Sequence, residues 1–315
     1  MSVIKRKLYT MTHTPRIFMK KFTASPIFKF LPDKMALKIM YKNAFLRAID
    51  LKSPKTFNEK LQWLKLYNRD PGYTKMVDKY EAKKYVASVI GEEYIIPTYG
   101  VYNSFDEIDF DALPDQFVLK CTHGSGDVVI VRDKNAFDRD AAKAKLTKSL
   151  KTNYYKISRE WPYKNVKPRI IAEMLLKERC NDGDDSEPRG IRDYKFMCFN
   201  GKMEYVFVCS GRFDKEGLHA TFFDSNWNLM DFEHNDPSEK SGFPKPKTYS
   251  KMLSLSEELS KNIPFVRIDF YECDEKIYFG EITFFSGGGF EPFQPEEWDR
   301  KLGDLITLPE KYSNK

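Results

Sequence analysis

The spacing of apolar and polar positions along this 315-residue chain changes character about a third of the way in. Before that point apolar residues return every three or four positions. LPDKMALKIMYKNAFLRAI (31–49) places Leu37, Met40, Tyr41, Ala44, Phe45 and Ala48 on one helical face. SPKTFNEKLQWLKLYNRD (53–70) predicts a second helix, opened by Thr56 and Glu59 as a capping box. YTKMVDKYEAKKYVASVIGEEY (73–94) predicts a third, stopped by Gly91, and IIPTYGVY (95–102) a short strand. From Gln116 the period shortens to that of strands. QFVLKC (116–121) and VVIVRD (128–133) form a predicted hairpin around THGSGD, followed by a helix carrying Ala141, Ala144, Leu146 and Leu150. RIIAEMLL (169–176) is an apolar strand, and KERCNDGDDSEPRG (177–190) a polar loop. DYKFMCFNGKMEYVFVCSGR (193–212) is a hairpin turned at Asn200-Gly201. TYSKMLSLSEELSKNI (248–263) is a helix, and FVRIDFYECDEKIYFGEITFFS (265–286) a final strand pair turned at CDEK. Helices followed by antiparallel strand pairs indicate an α+β fold.

Composition narrows this to a globular protein with 41% hydrophobic and 31% charged residues. Its five cysteines (Cys121, Cys180, Cys198, Cys209, Cys273) include no C-x-x-C pair, and its four histidines lack metal-ligand spacing. Reduced thiols in a cytoplasmic protein are therefore expected. No apolar run reaches the roughly 20 residues of a membrane-spanning helix, and the basic start lacks the apolar core of a secretory signal. Charge sits unevenly: residues 1–50 hold eleven Lys/Arg against Asp33 and Asp50, a net +9, whereas the whole chain is +6. Phe18, Phe22, Ile27, Phe28, Phe30 and Leu31 interleave with those cations. The arm can be read as a helical extension packed on the body or as a segment lying on an anionic membrane face. No nucleic-acid recognition motif accompanies it.

Candidate chemistry lies in two places. Lys120 ends a strand just before Gly124, Ser125 and Gly126, where an ammonium and loop N–H groups can meet phosphate oxygens. The loop matches neither a Walker A nor a Rossmann pattern. Asp269 and Glu281 stand on paired strands among Phe, Ile and Tyr, an arrangement that favours a cation between them. Oxygen ligands select Mg²⁺. Arg267, on the same strand face as Asp269, can grip phosphate oxygens. A structural Arg–Asp–Glu network explains the same residues.

SPKTFNEKLQWLKLY, DKYEAKKYV, IIPTYGVY, FVLKCTHGSGDVVIV, DYKFMCFNGK and RIDFYECDEKIYFGEITFFSGGGF, in this order, resemble the ATP-grasp enzymes. The resemblance is closest to their TupA-like branch, found in bacterial surface-polysaccharide gene clusters, and extends from about Leu31 to Leu308. It implies two α+β subdomains gripping ATP, preceded by a basic N-terminal extension (1–52). The grasp domain would span 53–312, divided into an N-terminal part (53–115), a lid (116–172) and a C-terminal part with the metal site (173–312). Lys79 and Lys120 are then similar to the two nucleotide-contacting lysines. Glu173, Met174 and Leu175 resemble the hinge that meets adenine, and Asp193 and Lys195 match positions near ribose and phosphates. Arg267 would bind phosphate while Asp269 and Glu281 bind Mg²⁺. Thr283 stands where the family commonly has an Asn metal ligand. Ser286, Gly287, Gly288 and Gly289 would receive the acceptor carboxylate.

The implied reaction joins a carboxylate to an amine through an acylphosphate, with ATP and Mg²⁺. Its implied substrates are a uronic-acid glycan, or its lipid-linked precursor, and a small amine. Implied location is cytoplasmic, on the inner membrane face if the arm binds there. A glycosyltransferase or an ATP-dependent sugar kinase of the same pathway is the alternative.

Overall fold

The computed structural model describes residues 27–176, 191–211 and 217–311. The loop at 177–190, Cys180 and residues 1–26 of the basic arm lie outside them.

Nine strands form two antiparallel sheets among the described residues. The first has the order β1-β4-β2-β3, from β1 (Thr98–Tyr102), β2 (Phe117–Cys121), β3 (Val129–Val131) and β4 (Ile170–Met174). The second has the order β7-β6-β5-β8-β9, from β5 (Asp193–Phe199), β6 (Lys202–Ser210), β7 (His219–Asp224), β8 (Phe265–Cys273) and β9 (Lys276–Thr283). The three predicted hairpins form, and the α+β class holds. Asn200 and Gly201 both take positive φ (51° and 84°), as a two-residue hairpin turn requires.

Each sheet buries one face against a helix, and strand alternation sends the other face elsewhere. On β2, Phe117, Leu119 and Cys121 point towards the helix Arg139–Leu150, with Cys121 Sγ 3.7 Å from the Leu146 carbonyl. Val118 and Lys120 therefore point away from it. In the second sheet Phe196 stacks on Tyr249 of the helix Tyr249–Ser260, and Cys198 reaches the Ser256 carbonyl. Their neighbours in sequence, Lys195 and Met197, face the opposite side. Two separate apolar clusters result. The smaller one takes in Phe105, Ile108 and Leu113, and its sheet takes in β1. As a packing unit it begins well before residue 116.

The helix predicted over 31–49 runs Asp33–Phe45 and ends at Leu46 in the left-handed conformation. It buries Ala36, Leu37 and Tyr41, and Asp33 at its start accepts from Arg69 and Tyr155. This part of the arm is packed on the body. The second helix, Phe57–Tyr67, has the expected capping box, in which the Thr56 side chain accepts from Glu59 N. Loss of such a cap costs about 1 kcal/mol.

The single helix expected over 73–94 is instead two, Tyr73–Val77 and Glu81–Ile90. Asp78 causes the break: its carboxylate accepts from the backbone N–H groups of Tyr80 and Glu81, a local bond that competes with helix continuation. The freed Lys79 N–H bonds the Thr122 carbonyl, tying this corner to the glycine loop. Strand β7 and the helix Glu297–Asp304 are further elements that periodicity missed.

Candidate functional site

The outward face of the second sheet carries six polar side chains in a block. Asp193 and Lys195 come from β5, Arg267 and Asp269 from β8, Glu281 and Thr283 from β9. Register sets them together: Lys195 is opposite Asp269, Asp269 opposite Glu281, and Arg267 opposite Thr283. A register shift after Asp269 leaves Gly280 as the extra residue. A Cβ on Gly280 would come within 3.1 Å of the Asp269 carbonyl, so this bulge suits glycine.

Within the block Arg267 is bidentate on Asp269, with Nε to Oδ1 and Nη2 to Oδ2 both 2.7 Å. Its Nη2 also donates to Glu281 Oε1 and Thr283 Oγ1, each at 3.1 Å, and its Nη1 to Ser286 Oγ at 3.3 Å. Lys195 bridges Asp193 and Asp269 at 2.5 Å each. Asp269 is thus buried between two cations, whereas 35% of the Glu281 side chain remains exposed. Burial alone would raise the Glu281 carboxyl. Lys79, Lys195, Arg267 and Lys120 overcome it and hold the group at about 2. Two of those four cations lie across the cleft, Lys120 on the outward face of the first sheet and Lys79 beside its glycine loop.

On the first sheet, Lys120 and Glu173 are diagonal neighbours, since Lys120 pairs with Ile171 and Val118 with Glu173. Glu173 is buried and gives one oxygen to each of two lysines, Lys120 at 2.5 Å and Lys83 at 2.6 Å. Lys83 also donates to the Ile96 carbonyl and Thr98 Oγ1, which consumes its three protons. Lys120 keeps donors in hand, and the trio carries a net positive charge suited to phosphate. Lys79 Nζ meets the Gly124 carbonyl, which puts a further cation at the glycine loop. Gly126 there has φ 86°, while Ser125 and Gly126 are exposed. Met174 and Leu175 follow Glu173 at half-buried positions, and Met174 N bonds the Pro97 carbonyl.

Ser286–Gly289 form a tight turn in which Gly287, Gly288 and Gly289 all have positive φ (53°, 64° and 66°). Only glycine adopts this run without strain. The turn is held from below by the helix Phe57–Tyr67: Gln62 Nε2 donates to the Gly288 and Gly289 carbonyls, and Lys65 Nζ to Gly288 O at 2.6 Å and Ser158 O at 2.9 Å.

The structure therefore brings Lys79, Lys120, Arg267, Asp269, Glu281, Thr283 and Ser286 around one cleft. Asp193, Lys195 and Glu173 support it from buried ion pairs. Sequence reasoning missed Lys83, Gln62 and Lys65. All three lie on helices where a polar residue is ordinarily solvent-facing, so periodicity alone gave no sign of them.

The donor set fits Mg²⁺. It offers oxygens only, with an ionised and partly open Glu281 beside Asp269. Among the described residues no three His, Cys, Asp or Glu side chains converge as a closed metal cage. Magnesium needs none, being held by one or two carboxylates and completed by phosphate oxygens. No helix among those residues is long and apolar enough to cross a membrane.

A search of curated proteins found no match. Several solved structures resemble the chain at low identity. D-alanine–D-alanine ligase from Bacillus anthracis complexed with ATP is 14% identical, with 73% of this chain and 63% of that chain covered and a TM-score of 0.40. ATP-grasp ligase PsnB with a phosphomimetic variant of its minimal precursor, Mg and ADP is 10% identical, with 78% and 64% covered and a TM-score of 0.41. D-alanine–D-alanine ligase from Helicobacter pylori is 13% identical, with 80% and 69% covered and a TM-score of 0.38. The chain thus spans less than two thirds of the first of these proteins. The family model for TupA-like ATPgrasp proteins matches residues 59–307, most of the chain, and the protein belongs to that family.

Proposed function

We propose that this protein is an ATP-dependent carboxylate–amine ligase working through an acylphosphate. The observation that carries the proposal is the convergence of Lys79, from the break between two helices, and Lys120, from the first sheet, with Glu281 and Arg267 from the second. Phosphates demand the cations and a divalent ion demands the carboxylate, and the cleft supplies both.

In this reading Lys120 and Lys79 hold the nucleotide phosphates, and the glycine loop at 124–126 closes over them to exclude water. Glu281, with Asp269 opposite, would hold Mg²⁺, which supplies charge neutralisation to the transferring phosphoryl group. Arg267 is kept in place by its two bonds to Asp269, leaving Nη1 near Ser286 to meet the acceptor carboxylate. The carboxylate oxygen attacks the γ-phosphorus and ADP leaves. An amine then forms the C–N bond and phosphate departs.

We extend the proposal to a uronic acid of a surface glycan, or a lipid-linked precursor, as carboxylate and an amino acid or small amine as its partner. The TupA-like family supports this choice. Association with an anionic inner-leaflet surface is supported by the +9 charge of residues 1–50 and by the exposed Phe30 and Leu46. The D-x-D pattern that a metal-dependent glycosyltransferase would use finds no counterpart at Asp109 and Asp111. Both are exposed, and Asp109 accepts from the Asp111 and Ala112 N–H groups in a turn.

The test is to supply Mg-ATP with uronates and amines and to follow ADP, free phosphate and product mass. ADP with phosphate and an amide is expected. Phosphate retained on the sugar would show a kinase, and UDP released from a UDP-sugar would show a transferase.

A further inference from the structure

Asp193, Asp269, Glu281 and Glu173 each have a cation within ion-pair distance. Glu160, only 4% exposed, has no Lys, Arg or His nitrogen within 4 Å of its carboxylate among the described residues; its nearest counter-charge is the buried Lys65, whose Nζ is held on the Ser158 and Gly288 carbonyls. Glu160 follows Arg159, whose left-handed backbone (φ 58°) ends the short helix Tyr155–Ser158 and turns the next side chain inward. Its Oε1 lies 3.8 Å from where a Cβ on Gly288 would stand, so the carboxylate rests against the glycine turn. Beside it Tyr154 and Tyr163 pack edge to face, ring centroids 4.9 Å apart. Tyr154 also leans on the glycine loop, 3.7 Å from the Cβ position of Gly124. Glu160 and both tyrosines lie in the field of Glu281 and Arg267. Gln62, wholly buried on the same turn, has no hydrogen-bond partner for its Oε1 among the described residues.

With Lys65 Nζ engaged on backbone carbonyls, the desolvated carboxylate has a counter-charge nearby but no cation in contact, a place that an ammonium would complete. The Tyr154–Tyr163 pair, packed edge to face beside the glycine loop, adds aromatic surface that favours a cation. An incoming carboxylate would be repelled here and is drawn instead to Arg267 and Ser286. We propose that Glu160, walled by Tyr154 and Tyr163, is the amine subsite of this enzyme, receiving the substrate as an ammonium and acting as its general base. The assignment rests on the ligase reading above.

The step balances. Glu160 takes one proton from the ammonium, and the freed lone pair forms the C–N bond to the acyl carbon. The C–O bond to phosphate breaks with its electron pair leaving on phosphate, which takes the second nitrogen proton. Glu160 returns its proton to solvent. Burial pushes the Glu160 carboxyl up, Lys65 and Ser158 pull it down, Glu281 raises it and Arg267 lowers it. A raised carboxyl is a stronger base than an exposed one.

Two nucleophiles test the assignment in the full-length enzyme with Mg-ATP and glucuronate as the carboxylate probe. Hydroxylamine is neutral near neutral pH and traps an acylphosphate without help, whereas glycinamide is largely an ammonium. Glu160→Gln is expected to lower the ratio of amide to hydroxamate by about 100-fold. Glu160→Asp, which keeps a carboxylate, is expected to restore much of it. An unchanged ratio in E160Q, or in Glu160→Ala where E160Q does not fold, overturns the base role while leaving the ligase reading in place. Wild-type enzyme that forms no hydroxamate overturns the ligase reading and the subsite together.

Discussion

The two sheets solve the problem of a charged outward face in opposite ways. On the first, two lysines share one carboxylate, and the surplus is positive: Lys120 and Lys83 flank Glu173. On the second, Asp193, Asp269 and Glu281 outnumber Lys195 and Arg267, and the surplus is negative and concentrated on Glu281, the most open of the carboxylates. Neither sheet could host a nucleotide with its metal alone. In the proposed site the first supplies cations for phosphate and the second an oxygen ligand for a divalent ion. Buried ion pairs on each side keep their neighbours in position and need not touch substrate at all.

That division of labour can be broken residue by residue. The largest effect is expected from Glu281→Gln, which keeps shape and removes charge. ADP release should fall by 100-fold or more while the thermal midpoint stays within a few degrees. Lys120 and Lys83 share one carboxylate and should nevertheless separate cleanly. Lys120→Met should raise the KM for ATP about tenfold to a hundredfold, because its spare donors face the cleft. Lys83→Met should act on stability instead, costing about 3 kcal/mol in urea unfolding through the broken buried pair. Gly289→Ala places a methyl group against Gln62 Nε2 at φ 66° and should cost about 1–3 kcal/mol. Its catalytic loss would report how far the turn positions the acceptor.

The smallest effect concerns acid stability. A carboxyl held down in the folded state stabilises above its unfolded value and loses that contribution as pH falls through its folded value. For Glu281 the window runs from 4.5 to about 2. Acid unfolding curves of wild type and Glu281→Gln should differ above this window and converge within it.

Much of this site was legible in the sequence, for reasons that are physical. Strand alternation and hairpin turns fix which residues share a face, so RIDF and GEIT announced Arg267, Asp269, Glu281 and Thr283 as one group. Lys120 was legible because it ends a strand at a glycine loop. The break at Asp78 was not, since YTKMVDKYEAKKYV has helical spacing throughout and only a side-chain bond to Tyr80 and Glu81 interrupts it. Yet that break is what brings Lys79 to Gly124. Lys65, Lys83 and Glu160 were hidden for a different reason: a charged residue on a helix or loop is normally solvated, and nothing local marks the few that turn inward. Strand β7 was missed because HATFFD is short and lacks clean alternation, its place being set by pairing with β6.

The central claim is that nucleotide phosphates and Mg²⁺ meet between Lys120 and Glu281. Titration calorimetry of ADP with and without Mg²⁺, on wild type and Glu281→Gln, addresses it directly. The account predicts that Mg²⁺ strengthens ADP binding to wild type by tenfold or more, and that Glu281→Gln binds metal-free ADP as before but loses this enhancement. A variant that keeps the full Mg²⁺ enhancement would contradict the account.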